Sequence, residues 1–159
     1  MTYVLPGLRE RVVLSDEVLQ YLLEFRQLAG RDEAGGQLFA KFDGDSVISV
    51  VRATGPSSRD RRGQFWFIPS RWREQAEINR MYREGLHFVG DWHTHPQGTP
   101  EPSQKDIDSI LDCHTKSRKG IRGFLLIIVG LNPFPTGLYV GLTNATHVRP
   151  LAFLEGERF

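Results

Sequence analysis

The chain of 159 residues contains a single cysteine, Cys113. One cysteine excludes an internal disulfide, and it cannot supply the cysteine pair of a CxxC zinc site or of a zinc deaminase. This scarcity favours a reducing, cytoplasmic environment. Long apolar runs are missing too, because the longest, FLLIIVGL at 124–131, is far below the roughly 20 residues that cross a bilayer. No N-terminal stretch reads as a signal peptide, so the sequence predicts no membrane association.

No charge of one sign dominates, because 20 lysines and arginines face 19 acidic residues and the formal net charge is +1. That balance gives no electrostatic case for nucleic acid or a membrane surface as the main partner. The short basic run SSRDRRG at 57–63 is interpreted as a solvated loop. With 40% apolar and 25% charged residues, the composition is that of an ordinary globular protein, and the length predicts one domain over residues 1–159.

Hydrophobic periodicity and capping residues predict three helices, at 15–29, 70–84 and 103–119. Ser15 fits the N-cap of the first helix, and a glycine follows each of the three: Gly30, Gly85 and Gly120. Strand-like runs fill the remainder: a hairpin at 35–53 that turns at Asp43-Gly44, then 63–69, 86–95, 123–130, 136–143 and 147–154. Helices and strands intermix around one mixed sheet, so the predicted fold class is α/β (α+β).

Two histidines stand one residue apart in the stretch GDWHTHPQGTPEPSQKDID, residues 90–108. Because successive side chains of a strand point to opposite faces, His93 and His95 project to the same side and Thr94 points away. Pro96 then ends the strand, since it cannot donate to the ladder. Two imidazoles placed in this way can share one metal ion.

Ser103 and Asp106 follow, three residues apart, at the start of the third predicted helix. If that helix begins beside the strand end, Asp106 can complete a His-His-Asp set. Such a set leaves the fourth tetrahedral position for water, as in a catalytic zinc site, where the metal lowers the pKa of the water to about 7. The same pair also fits a helix-capping pattern, and an isolated HxH is weak evidence. The metal interpretation depends on the whole order: HxHP, six residues, then SxxD.

A metal hydrolase also needs a base, and Glu33 in RDEAGGQLFA is the candidate. It lies just after the first predicted helix and immediately before an apolar strand. Gly35 and Gly36 permit close approach of the backbone there. A glutamate in a loop is usually solvated surface, so this hypothesis depends on the neighbouring site.

The segment EAGGQL at 33–38, taken with HTHP and SQKD in 93–106, resembles the signature of the JAMM/MPN+ zinc metalloproteases. That signature combines an upstream glutamate with HxHP, six residues, then SxxD, and this sequence fills every required position. The resemblance covers most of the chain. It implies a three-layer α/β/α core of the JAB1/MPN, cytidine-deaminase-like type around one mixed sheet.

The resemblance also implies one zinc ion per chain, held by His93, His95 and Asp106. Glu33 would take the proton of the attacking water and pass it to the leaving amine. Ser103 would donate a hydrogen bond to the oxyanion that forms as the carbonyl is attacked.

Members of this family cleave isopeptide or peptide bonds after the glycine-ended tail of ubiquitin or a ubiquitin-like protein, which is therefore the implied partner. A narrow groove beside the zinc suits a Gly-Gly backbone. The compact sequence is short of the long insertions that ubiquitin-chain-specific members use to hold two ubiquitins. It resembles the standalone bacterial deconjugating peptidases of CBASS anti-phage operons. Their substrate is a conjugated cyclic-nucleotide synthase. Trp92 flanks the predicted ligands and Phe65-Trp66 begin a strand, but large aromatics on strands are more often core.

Three alternatives stay open. The same site could trim the tail of a sulfur-carrier protein, or the fold could be a non-catalytic scaffold, although no ligand or glutamate of the signature is lost. The HTHPQGTPEPS loop also resembles a DNA-repair-associated bacterial branch, against which the near-neutral charge counts. Among the remaining residues, Cys113 is predicted to pack as a small hydrophobe. His114 lies about two helical turns beyond Asp106, too far to be a ligand, and His87 and His147 have no assigned role.

Overall fold

A large mixed β-sheet forms the centre of the protein in this computed structural model, which describes residues 1–44, 46–117 and 123–156. The strands in those residues are β1 (Thr2–Val4), β2 (Arg11–Leu14), β3 (Gly35–Asp43), β4 (Val47–Ala53), β5 (Arg61–Gly63), β6 (Trp66–Ile68), β7 (His87–Thr94), β8 (Leu125–Val129), β9 (Leu138–Thr143), β10 (Val148–Pro150) and β11 (Ala152–Phe153). Their order in the main sheet is β10-β9-β8-β7-β3-β4-β2-β1-β11, and β5 and β6 form a separate antiparallel pair.

Helices cover both faces of this sheet: α1 (Asp16–Glu24), α2 (Arg71–Arg83) and α3 (Gln104–Lys116). Leu22 of α1 packs in the same apolar cluster as Leu38 of β3. The next residue, Phe39, points to the opposite face and packs with Met81 of α2. Ile110 of α3 lies in the cluster that includes Leu126 of β8. The predicted three-layer α/β/α arrangement around one mixed sheet is therefore confirmed.

The sheet curves until its two outer strands meet. β10 and β11 stand at opposite ends of the strand order, yet only Leu151 separates them in sequence. Leu151 donates its amide to Val140 of β9, and Leu154 donates to Thr2 of β1. In a flat sheet with strands about 4.8 Å apart the outer strands would be roughly 38 Å distant. One extended segment thus joins the two edges, and the interior of the curve holds the main core.

The first helix is shorter than predicted. It begins after Ser15, whose hydroxyl accepts the amide of Val18 as expected of an N-cap, but it ends at Glu24 instead of Ala29. A separate 3-10 turn covers Leu28–Gly30, and Ala29 adopts a positive φ of 55°. The helix stops early because the side chain of Gln27 turns inward to hydrogen bonds that a continuous helix would not reach.

Other predicted elements agree or need small corrections. The hairpin β3–β4 and the second helix are confirmed, with Gly85 at φ +80° after the helix. The third helix ends at Lys116, and the predicted stop at Gly120 lies outside the described residues. The interpretation of 57–63 as a loop was wrong for Arg61–Gly63, which pair with β6. No helix in the described ranges is long and apolar enough to cross a membrane.

Candidate metal centre

The end of β7 and the start of α3 bring the predicted ligands together. β7 lies between β3 and β8, so its position is fixed on both sides. His93 and His95 project to the face that α3 covers, whereas Thr94 is fully buried on the other face. Asp106 sits in the first turn of α3 and faces both imidazoles. The alternation expected from the sequence is therefore what the structure contains.

The spacing of these side chains suits a tetrahedral metal ion. The Nε2 atoms of His93 and His95 are 3.1 Å apart. The Asp106 carboxylate places one oxygen 3.2 Å from the His93 nitrogen and the other 3.4 Å from the His95 nitrogen. Ligand atoms around a tetrahedral zinc with bonds of about 2.0–2.1 Å lie about 3.3 Å from one another. Nitrogen and oxygen donors at this separation fit a single first-row metal ion.

Asp106 caps α3 with the same carboxylate that faces the imidazoles. Its Oδ2 accepts the amide and the hydroxyl of Ser103, each at 2.7 Å, and Ser103 Oγ accepts the Asp106 amide at 3.2 Å. This is a complete capping box, so the structural interpretation of the SxxD pattern is correct and the metal interpretation is compatible with it. Burial alone would raise the Asp106 pKa, but hydrogen bonds from the two imidazoles and from Ser103 outweigh it and hold the pKa below its ordinary value.

Glu33 is buried beside the imidazoles, with only 8% of its surface exposed. Its carboxylate lies within 4.8 Å of the ring nitrogens of His93 and His95, so it belongs to the group that could hold a metal ion. Burial raises the pKa of this carboxyl, and the two imidazoles offset only part of that rise. A carboxylate with a raised pKa next to a metal-type site has the properties of a proton acceptor at neutral pH.

Close backbone contacts fix where Glu33 lies. The register of β3 against β7 pairs Gly35 with His93. A Cβ atom on Gly36 would come within 1.7 Å of the carbonyl oxygen of Thr54, so the two backbones touch there. The Glu33 amide donates to Gly63 of β5 at 2.8 Å. The two glycines after Glu33 therefore permit the approach that the sequence analysis anticipated.

Gln97, which the sequence analysis did not assign, orients His95. Its Oε1 accepts the amide of Glu101 at 3.1 Å and lies 3.2 Å from Nδ1 of His95. Because that oxygen is an acceptor, Nδ1 donates to it, and Nε2 is the ring nitrogen that faces Asp106. Partners of this kind fix the ring of a metal ligand and its tautomer. The only sequence signal was an amide two residues after the second histidine.

A cavity of about 400 Å³ opens from these side chains between β5–β6 and α3. Trp92 is core, with 1% exposed, and donates its indole N–H to Thr54. Phe65 and Trp66 are 77% and 41% exposed and line the cavity, so the expectation that they pack in the core was wrong. They stay outside because they belong to the β5–β6 segment, which is not part of the main sheet.

A further carboxylate lines this cavity besides those of Glu33, Glu74 and Asp106. Asp91 precedes His93 by two residues on the same face of β7. Burial raises its pKa to about 7, Glu74 adds to the rise and Arg71 opposes it. Within the described residues no side chain forms a hydrogen bond or ion pair with it.

Three residues with no predicted catalytic role lie away from the metal centre. Cys113 packs beside the α3 cluster, as predicted, and burial raises the pKa of its thiol to about 12. His114 Nδ1 lies 2.8 Å from the hydroxyl of Thr143, so it is not a ligand. His87 contacts the rings of Phe42 and Tyr82 at the start of β7, the opposite end of the strand from the histidine pair.

Comparisons with known proteins agree with this geometry. The family described as prokaryotic homologs of the JAB domain matches residues 15–139. The chain is 28% identical over 134 residues to a protein of Enterobacter hormaechei subsp. hoffmannii named CD-NTase/cGAS isopeptidase, covering 84% of this chain and 74% of that protein. It is 35% identical over 78 residues to "Probable metalloprotease y4qB" of Sinorhizobium fredii, covering 46% of this chain and 48% of that one.

The fold has a solved counterpart in a solution structure of a protein from Desulfitobacterium hafniense. The two superpose with a TM-score of 0.61 at 20% identity, over 87% of this chain and 88% of the other. The chain belongs to the prokaryotic JAB family, and it is a hydrolase of the JAB/MPN metalloprotease class. The resemblance drawn from the EAGGQL and HTHP…SQKD segments is confirmed.

Proposed function

We propose that the protein is a zinc-dependent isopeptidase or peptidase that cleaves after the C-terminal glycine of a ubiquitin-like protein, or of a protein conjugated by the same chemistry. One observation carries the proposal. Two imidazole nitrogens and a carboxylate stand 3.1–3.4 Å apart at the end of a cavity, and a buried second carboxylate lies beside them. Nitrogen and carboxylate donors at that spacing suit zinc.

The residues divide into ligands and a base by their geometry. Asp106 presents one oxygen to each imidazole and is locked by the helix cap, so it is the third ligand with His93 and His95. Glu33 approaches from β3, on a different segment, and is free of a cap. When bound, zinc supplies Lewis-acid polarisation of the scissile carbonyl and an acidified water. Glu33 accepts the water proton and delivers it to the leaving amine.

Ser103 lines the cavity beside Asp106, and we assign its hydroxyl as the donor to the negative charge that develops on the carbonyl oxygen. Its hydroxyl donates to Asp106 Oδ2 in the present structure and must rotate toward the substrate to stabilise an oxyanion. The rotation costs little helix stability, because the Ser103 amide still donates to the same oxygen. Ser103 therefore combines a capping role with a catalytic one.

The cavity supports a substrate with a slim tail. Its mouth is walled by Phe65 and Trp66 on one side and by the first turns of α3 on the other. A glycine-ended tail presents backbone without side chains and can lie between such walls. The name of the Enterobacter hormaechei relative supports a conjugated cyclic-nucleotide synthase as the partner in an anti-phage setting.

Metal content and cleavage test the proposal together. Protein prepared without a histidine tag, chelator or metal column is expected to contain about one zinc per chain by elemental analysis. A ubiquitin-like domain fused through its terminal glycine to a reporter should be cleaved. Glu33→Gln should reduce cleavage to a small residual rate, measurable at high enzyme concentration, and retain zinc. Glu101→Gln, which changes an exposed glutamate between the ligands in sequence, should behave as the wild type.

Two results would count against the proposal. Clearly less than one zinc after incubation with the metal would mean that the ligands do not converge on an ion. Unchanged cleavage by Glu33→Gln would remove the proposed base. Fusions to a cyclic-nucleotide synthase and to a sulfur-carrier protein, compared side by side, decide between the two classes of substrate.

A further inference from the structure

Gln27 is a buried polar side chain that contacts three separate segments. Only 5% of its surface is exposed. Its Nε2 donates to the carbonyl oxygen of Arg31 at 3.1 Å and to that of Gln64 at 2.9 Å, and its Oε1 accepts the hydroxyl of Thr94 at 3.0 Å. The side-chain amide of Gln27 fixes these three partners in place, since removing it would leave buried polar groups without a hydrogen bond.

Each partner belongs to a part of the active site. Arg31 lies two residues before Glu33, the proposed base. Thr94 stands between the two histidines on β7. Gln64 joins β5 to β6 and directly precedes Phe65, on the wall of the cavity. One carboxamide therefore joins the loop of the base, the strand of the ligands and the hairpin that borders the substrate.

A second set of hydrogen bonds connects these segments to the backbone on both sides of Glu33. The hydroxyl of Thr94 accepts the amide of Ala34 at 2.9 Å, and the Thr94 amide donates to the Ala34 carbonyl at 2.9 Å. On the other side the Glu33 amide donates to Gly63 of β5 at 2.8 Å. The peptide groups flanking the Glu33 side chain are thus fixed to β7 and to β5, and Gln27 ties those two supports to each other.

We propose that Gln27 is a positioning residue that sets the place of the Glu33 carboxylate relative to the histidine pair and couples it to the β5–β6 hairpin. This inference rests on the proposed role of Glu33. A substrate segment that binds against Phe65 contacts the β5–β6 hairpin, which Gln27 joins to the loop that carries the base. Binding of that segment therefore affects kcat as well as KM, because small displacements of a catalytic group reduce rates steeply.

The test compares Gln27→Met with Gln37→Met. Gln37 is also buried, with 3% exposed, and its side chain forms no hydrogen bond with the described residues. Amide hydrogen exchange is measured over residues 28–36 and 61–68. In Gln27→Met, exchange should rise in both segments together while zinc content stays at the wild-type level. In Gln37→Met, both segments should keep wild-type protection.

Turnover supplies the second measurement. Gln27→Met should lower kcat by about 10- to 100-fold with a smaller change in KM. In a Glu33→Gln background the residual rate should not fall further when Gln27→Met is added, since the residue acts through Glu33. If Gln27→Met does not fold, Gln27→Asn replaces it, because the shorter side chain stays polar but cannot span all three partners.

The inference is overturned if exchange is unchanged in either segment, or if kcat is retained. It is also overturned if the two substitutions lower the rate additively. Failure of the proposed function gives a different pattern: Glu33→Gln would leave cleavage intact, while the exchange experiment would still report whether Gln27 holds the two segments together.

Discussion

Replacing Asp91 with asparagine should stabilise the protein increasingly as the pH rises. The folded state raises the pKa of this carboxyl from 3.8 to about 7, chiefly by burial. A raised acid pKa means that the folded protein binds the proton more tightly than the unfolded chain does. Folding therefore carries no penalty below about pH 4, where both states are protonated, and the penalty grows until the pH passes 7. Asparagine has a similar shape and no ionisation to suppress.

The magnitude follows from the shift. Within the range from pH 5 to pH 8.5, about two pH units lie below the folded pKa. Over those units Asp91 is ionised in the unfolded chain and protonated in the folded protein, and each unit adds about 1.4 kcal/mol to the penalty. The free energy of unfolding of Asp91→Asn, relative to the wild type, should rise by about 2–3 kcal/mol over that range. For a chain of this size the difference in Tm should widen by roughly 5–10 °C. Thermal denaturation of both metal-free proteins in a pH series measures it.

Asp112→Asn is the matched control, because that aspartate is 57% exposed and pairs with Lys116 on the surface of α3. Its stability relative to the wild type should change little over the same pH range. A pH-independent difference for Asp91→Asn would refute the reasoning. It would show that the carboxylate is hydrated or paired with Arg71 in solution and that its pKa is ordinary.

Two further pairs of substitutions, each a test variant with a matched control, probe the site. Ser103→Ala and Ser15→Ala each remove an N-cap and should each cost about 1 kcal/mol of stability, but only Ser103→Ala should lower kcat, by about 10²- to 10³-fold. Full turnover by Ser103→Ala would leave that serine with the capping role alone. Phe65→Ser should raise KM for a protein substrate roughly tenfold, equivalent to about 1.4 kcal/mol, with stability unchanged in denaturant titrations. Tyr82→Ser removes an equally exposed aromatic from the far end of α2 and should not affect KM; equal KM values in both variants would exclude Phe65 from the substrate surface.

The parts of the site that are local in sequence could be predicted. His93 and His95 share a face because strand geometry requires it, and the SxxD spacing places Asp106 in the first turn of α3. The helix cap was predictable for the same reason. These features depend on residues within a few positions of one another, where backbone periodicity decides the outcome.

Contacts between segments that are distant in sequence could not be predicted from local patterns. Gln27 lies 67 residues from Thr94, and its inward turn ends the first helix before the hydrophobic period does. The exposure of Phe65 depends on β5–β6 standing apart from the main sheet, which no local pattern reveals. Asp91 looks like any polar residue in an alternating strand until it is buried and α2 brings Glu74 and Arg71 near it.

If Asp106 is the third ligand, as we propose, its carboxylate couples metal binding to the formation of the first turn of α3. Any ion that binds the folded site and not the unfolded chain adds RT ln(1 + [ion]/Kd) to the stability of the fold. Here the gain is concentrated at a helix start that also borders the cavity. Depletion of the metal would therefore loosen the cavity wall beside the ligands before it affected the distant core, so that loss of the cofactor and loss of the substrate surface would occur together.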